Sequence, residues 1–320
     1  MEEYYIAWWN LENLFDVENS TERPDWLQKN LKKELSGWNQ GILNKKIEQL
    51  SSIIKQMNKP KGPDLLGVCE VENKPVMQQL MDSLQPLGRN YGIAHHDTLD
   101  ERGIDVGYIY DQDKFEAGDQ FSHIILKRTA TRDLFQVNFK TKSGTDLIIV
   151  GNHWPSRTSG EWETEPYRIL AGETLSYWHK RILEEKGDDV AILIMGDFND
   201  EPPSRSITQY ALSTSCKMKV KKSTKAPRLF NLMWTEMGKG VGTLYYDNFP
   251  LLFDQFLVSK GMVKVGSPIQ IKSDSVKIER FPEMISGTYE VPKRFGRPSS
   301  KLDTKGFSDH FPISLVLEEI

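Results

Sequence analysis

Val190-Ala191-Ile192-Leu193-Ile194-Met195-Gly196-Asp197-Phe198-Asn199-Asp200 is the stretch on which the reading of this chain turns. Its first six residues are apolar and read as a short strand. Gly196 ends the run, and an acid and an amide follow at once. Taken alone, Asp197 and Asn199 are most simply an Asx turn. The same grammar, however, recurs elsewhere. Asn10 follows Ile6-Ala7-Trp8-Trp9, Glu70 follows Leu65–Cys69, and Asn152 and His153 follow Leu147–Gly151. Asp309 and His310 stand just before the apolar run Ile313–Leu317. Five strand ends carrying acid, amide or imidazole groups make separate turns a poor account, because sites on layered sheets are built from such ends.

Between these ends, strand and helix signals interleave. Ile42, Leu43, Ile47, Leu50, Ile53, Ile54 and Met57 form a helical stripe, and Val76, Met77, Leu80, Met81 and Leu84 a second. Ile169, Leu170, Leu175, Trp178, Ile182 and Leu183 predict a long helix over 167–183. Further strands are expected at 104–110, 121–127, 134–139, 146–150, 253–258 and 263–271. Strands in runs with helices between them predict an α/β (α+β) protein of layered sheets with outer helices. Residues 16–40 are largely polar, with Trp26 and Trp38, and read as an insertion or excursion.

Composition sets the outer bounds. The 320 residues are 38% hydrophobic and 27% charged, with formal net charge −4, which fits a soluble globular chain and excludes disorder. No apolar run approaches the roughly 18 residues of a membrane span. Cys69 and Cys216 permit at most one bridge, so no disulfide framework holds the fold. Glu2 and Glu3 stand where a secretory leader would be basic; no leader is visible, and the compartment stays open. Charge is uneven: residues 217–305 hold 17 Lys or Arg against 8 Asp or Glu. A polyanionic substrate would be drawn to such a region, although Lys217–Lys225 reads equally well as a solvated loop.

The ordered set of segments resembles the endonuclease/exonuclease/phosphatase superfamily, the DNase I-like fold. The matching pieces are Trp9–Phe15 (WNLENLF), Cys69-Glu70-Val71, Arg102–Val106 (RGIDV) and Gly151–Arg157 (GNHWPSR). Gly196–Asp200 (GDFND), Phe253–Leu257 (FDQFL) and Ser308–Pro312 (SDHFP) complete it. Single pieces are weak, but their order spans nearly the whole chain. The resemblance implies a four-layer α/β/β/α sandwich, a single domain over 1–320, and one metal-dependent phosphoesterase site where the two halves meet.

The same resemblance assigns roles. Glu70 is the foremost metal ligand, with Asn10 and Asp309 close to the ion, and Glu12 is a ligand for a second ion in some relatives. Mg²⁺ is the expected cation, with Mn²⁺ and Ca²⁺ as alternatives, all three taking oxygen ligands. Asp197 orients and deprotonates the attacking water, and Asn199 fixes that geometry. His310 and His153 flank the phosphoryl oxygens, with Asp254 and Asp105 as their respective carboxylate partners. Arg157, Trp154 and Arg102 are expected at the substrate, Arg157 alternatively pairing with a surface acid. The loop 287–306, with Lys293, Arg294, Arg297, Lys301 and Lys305 beside Tyr289 and Phe295, is expected to grip a nucleic-acid backbone or to form a mobile lid. Arg297 is the expected substrate contact within it.

These readings converge on a hydrolase that cuts DNA, or RNA, by in-line attack of water, so that nucleic acid is the expected partner. One alternative is a phosphatase or phosphodiesterase for a small or lipid-derived phosphoester. Another is an inactive binding module of the same fold. No protein partner is implied.

Overall fold

A computed structural model describes residues 1–320. Ten principal strands run in chain order: β1 (Glu2–Leu14), β2 (Leu65–Val71), β3 (Tyr91–His95), β4 (Asp105–Asp111), β5 (Phe115–His123), β6 (Leu134–Thr141), β7 (Asp146–His153), β8 (Ala191–Asp197), β9 (Asp254–Val258) and β10 (Ile313–Glu319). They form two seven-stranded sheets. The first has the order 269–271, β10, β1, β2, β4, β3, with 277–278 also on β10. The second has the order β5, β6, β7, β8, β9, 229–231, 213–214.

The two sheets share a plan. At the centre of each lies a parallel pair, β1 with β2 and β7 with β8. A parallel pair needs a long crossover. The first contains the helices α1 (Asp25–Leu31) and α2 (Gln40–Gln56), and the second contains α4 (Glu161–Lys186). Antiparallel strands flank each pair: β10 and β4 in the first sheet, β9 and β6 in the second. Helix α2 begins where the Asn39 side chain accepts the Gly41 and Ile42 amides, and α3 (Lys74–Asp82) where Asn73 accepts that of Val76.

Strand alternation explains why the central runs are apolar throughout. Trp8, Leu193, Met195, Leu147 and Ile149 point between the sheets into one shared cluster of 28 buried residues. Trp9 points outward onto the helical stripe of Leu43, Leu50 and Ile54. Ile192, Ile194, Ile148 and Val150 point outward onto Leu175 and Ile182 of α4. Both sheets are therefore covered on two faces, giving the four layers α/β/β/α that the resemblance implies.

Two strand expectations shift. The strand expected over 121–127 lies at Phe115–His123, paired with β6, while Ile124 and Leu126 are 64% and 80% exposed with no neighbouring strand. Of 263–271 only Ile269–Ile271 is extended, because a turn with Gly266 at φ +81° and Pro268 intervene. The 16–40 excursion is not a loose loop. Leu27, Leu31, Leu35 and Trp38 build a small core with Phe15, Ile104 and Phe295, which fixes the 287–306 segment to the body. No helix is long and apolar enough to cross a membrane. Both cysteines are free.

Candidate active site

The strands do not end smoothly. Register breaks fall between Asn10 and Leu14 on β1 and between Cys69 and Val71 on β2. At these breaks Glu12, Asn13 and Glu70 take φ values of +50°, +61° and +59°, and Asn199, just past β8, takes +50°. Left-handed backbone is costly for residues with a Cβ. A bulge re-aims side chains, and here it turns Glu70 out of the sheet alternation toward the mouth between the sheets.

The polar ends meet there. Glu70 Oε1 lies 3.7 Å from His153 Nε2, which lies 3.9 Å from Asp197 Oδ2. The same Asp197 oxygen lies 3.8 Å from His310 Nε2, and that nitrogen lies 4.0 Å from Asp309 Oδ1. Asn10 Nδ2 donates to Asp197 Oδ2 at 3.1 Å, and the Asn199 amide donates to Oδ1 at 2.9 Å. Asn199 Nδ2 in turn donates to the Trp154 carbonyl. Residues far apart in sequence are thus joined around one carboxylate, Asp197.

His310 is held from both sheets. Its Nδ1 sits 2.6 Å from Asp254 Oδ2, and Asp254 Oδ1 accepts the Trp8 indole N–H at 2.9 Å. The His310 carbonyl accepts the Trp9 indole N–H, and its amide donates to Ser308, whose hydroxyl donates to the Asn10 carbonyl. Trp8 and Asp254 are fully buried, so the dyad cannot turn without disrupting the core.

Burial and charge set the protonation of each group. Burial opposes the His310 cation, but Asp254, Asp197 and Asp309 outweigh it and hold the imidazole well above its ordinary value. Burial, reinforced by Arg132, Arg102 and the charged His310, drives His153 well below. Burial raises Asp197 to about 6, partly offset by His310. Burial and Glu12 raise Asp309 to about 7. Burial works against the Glu70 carboxylate too, yet Arg102, His310 and Arg132 hold it below its ordinary value.

Several expected roles change. Asp105 is not on His153: its Oδ1 accepts from the amide and hydroxyl of Thr98, and its Oδ2 faces His95 at 3.9 Å. His153 Nδ1 has no hydrogen-bond partner at all. Trp154 is fully buried against Phe198, its indole donating to Asn152 and its carbonyl accepting from Asn199 Nδ2. Arg157 donates to the Asn199 carbonyl, Asp200 and Glu161, one bond from each guanidinium nitrogen, so the expected pairing with an acid is the one present. Arg297 is paired with Glu34 of the excursion. Glu12 is engaged by Arg294 Nε and the Phe295 amide, so it acts as a clasp for the 287–306 segment. Arg102, 40% exposed, lies 3.5 Å from Glu70 at the mouth.

Two residues enter that the sequence did not single out, and a third, Arg294, takes a more definite place. Arg132, 5% exposed, donates to the Trp154 carbonyl and pairs with Asp100, bringing buried positive charge to His153 and Glu70. Lys46, on the buried stripe of α2, donates to the Phe307 carbonyl and lies over the Phe295 ring; burial lowers it to about 8 against the pull of Glu12 and Asp309. Arg294 bridges Glu12 and Asp309 at 3.0 and 3.3 Å while remaining 67% exposed.

The donor set suits a hard divalent cation. Glu70, Asp309 and the Asn10 amide oxygen offer oxygen ligands, and the upward displacement of Asp309 comes first from burial and then from the Glu12 charge beside it.

No curated protein sequence matches the chain significantly. Solved structures of similar fold include humanized D. rerio TDP2, at 14% identity and TM-score 0.58, covering 99% of both chains. The human Nocturnin catalytic domain has 14% identity and TM-score 0.55, covering 99% of this chain and 95% of that one. A mannosyl-6-phosphatase of Bacteroides thetaiotaomicron has 16% identity and TM-score 0.57, covering 98% and 99%. The model of the Endonuclease/Exonuclease/phosphatase family matches residues 5–319. With the two-sheet fold and its clustered strand ends, that match over nearly the whole length places the chain in the endonuclease/exonuclease/phosphatase family.

Proposed function

We propose that this chain is a divalent-cation-dependent phosphoesterase that hydrolyses its substrate by single-step in-line attack of water. The supporting observation is the contact series Glu70–His153–Asp197–His310–Asp309, every link at or below 4.0 Å. Asp197, held by Asn10 and the Asn199 amide, is a carboxylate of raised basicity and takes the proton of the attacking water. His310, charged through Asp254, donates to a phosphoryl oxygen as negative charge gathers there. His153 is neutral and supplies a hydrogen bond without adding charge. Glu70 and Asp309, with Asn10 beside them, would hold the cation, which when bound relieves charge on the phosphoryl and leaving oxygens.

The substrate we assign is a compact phosphoester. Arg157 and Arg297 are spent on internal partners, and the Lys217–Lys222 helix (α5) packs on 213–214 and 229–231 at the outer end of the second sheet. The basic residues therefore form no single track for a long strand. Nucleic acid is the second reading, favoured by exposed Arg294, Lys301 and Lys305 on the segment beside Asp309. Supercoiled plasmid, bis-nitrophenyl phosphate and a hexose phosphate, each with Mg²⁺ and with EDTA, separate these readings. Turnover of the small esters alone supports the compact substrate, and plasmid cutting supports the strand. Cation-independent turnover, or none of any ester, overturns the phosphoesterase assignment.

A further inference from the structure

At the edge of the first sheet, where β3 ends and β4 begins, His95, Asp97 and Asp105 face one another away from the series described above. The His95 ring is 1% exposed. Its Nδ1 stands 3.7 Å from Asp97 Oδ1 and its Nε2 stands 3.9 Å from Asp105 Oδ2. Neither distance is a hydrogen bond, and Nε2 has no partner anywhere in the molecule.

The carboxylate opposite is equally unusual. Thr98 occupies Asp105 Oδ1 through both its amide and its hydroxyl, which fixes the carboxylate and leaves Oδ2 turned toward the ring. A buried imidazole beside a buried carboxylate would ordinarily close to a hydrogen bond. Here both are held at a separation that leaves space between them. One donor atom from each of the three residues falls within 4.8 Å of the others. Asp97 is 76% exposed, giving the cluster an opening to solvent and one ligand free to rotate inward.

We propose that His95, Asp97 and Asp105 form a second divalent-cation site, distinct from the Glu70–Asp309 mouth. One imidazole nitrogen with two carboxylate oxygens suits Zn²⁺ or Mn²⁺ better than Mg²⁺, which prefers oxygen and water throughout. Water completes the coordination. The site lies at the opening of the Arg102–Asp105 turn that carries Arg102 to Glu70, so occupancy would stiffen one wall of the mouth.

Calorimetric titration of the metal-stripped full chain with Zn²⁺ tests this without reference to turnover. The background is Glu70→Ala/Asp309→Ala, which removes both carboxylates expected to hold the other ion. This variant retains one Zn²⁺ equivalent; adding His95→Ala removes it, and adding Asp97→Asn weakens it about tenfold or more. Asp97→Asn changes only an exposed side chain and reads the site even where His95→Ala disturbs folding. Zn²⁺ binding that is absent from the background, or indifferent to Asp97→Asn, overturns the proposal. Because the readout is binding, failure here leaves the phosphoesterase reading intact, and loss of phosphoesterase activity leaves this site intact.

Discussion

His310 and His153 are both almost fully buried, both aim Nε2 at the same Asp197 oxygen within 0.1 Å of each other, and yet differ in charge. The difference lies behind the rings. His310 has Asp254 at 2.6 Å on Nδ1, anchored in turn by Trp8. His153 has nothing on Nδ1, and Arg132 and Arg102 add positive charge nearby. One imidazole is therefore held toward its cationic form and the other toward its neutral form. Burial alone would have made them alike, so the partner on the far nitrogen decides, as it does in histidine chemistry generally. A phosphoryl group between them would meet a charged donor on one side and an uncharged one on the other.

The sharpest way to break this comparison is to remove what the two rings share. Asp197→Asn keeps the shape and abolishes the base, so kcat on bis-nitrophenyl phosphate should fall by about 10³- to 10⁴-fold. A loss under tenfold means Asp197 does not take the proton. Next come the rings themselves: His310→Ala should cost about 10²- to 10³-fold, and His153→Ala about an order of magnitude less. If His153→Ala proves the more damaging, the assignment of the charged donor is reversed.

Proton linkage gives a subtler reading. A carboxyl raised to about 6 must lose its proton to act, so the rate should climb with pH through about 6. His310, raised above its ordinary value, loses its proton on the alkaline side, and the rate falls as it does so. Asp254→Asn removes the charge that holds the His310 proton, so the alkaline limb should move to lower pH. An unmoved limb separates His310 from that titration. The smallest effect belongs to Arg132→Met, which removes positive charge near His153. Its proton affinity, followed by NMR, should rise slightly, while that of His310 changes less.

The apolar runs and the polar groups at their ends were legible because both are local. Ile192–Met195 reads as strand from its own residues, and Glu70 follows its strand in the sequence itself. The His310–Asp254 pair was reached only through the ordered motif set, since 56 residues separate the partners. Asp105 illustrates the limit. Its place at the head of β4 was readable, but whether it meets His153 or Thr98 depends on how the 95–105 turn folds back, and no local pattern encodes that. Lys46 lies in a helical stripe where lysine ordinarily points to water. The Phe307 carbonyl and the Phe295 ring, more than two hundred residues away, join Glu12 and Asp309 in making its burial tolerable. The excursion did carry a signal, with Leu27, Leu31 and Leu35 at four-residue intervals. A seven-residue helix in a polar stretch is too short for that periodicity to dominate.

Glu70 stands at φ +59°, a backbone state in which glycine would rest comfortably and glutamate does not. Drift in the absence of selection for turnover would thus find Glu70→Gly an easy step, relieving roughly 1 kcal/mol of local strain while erasing the carboxylate proposed to hold the cation. The most durable form of this scaffold is therefore a silent one, and an active chain must keep its glutamate against the grain of its own peptide geometry.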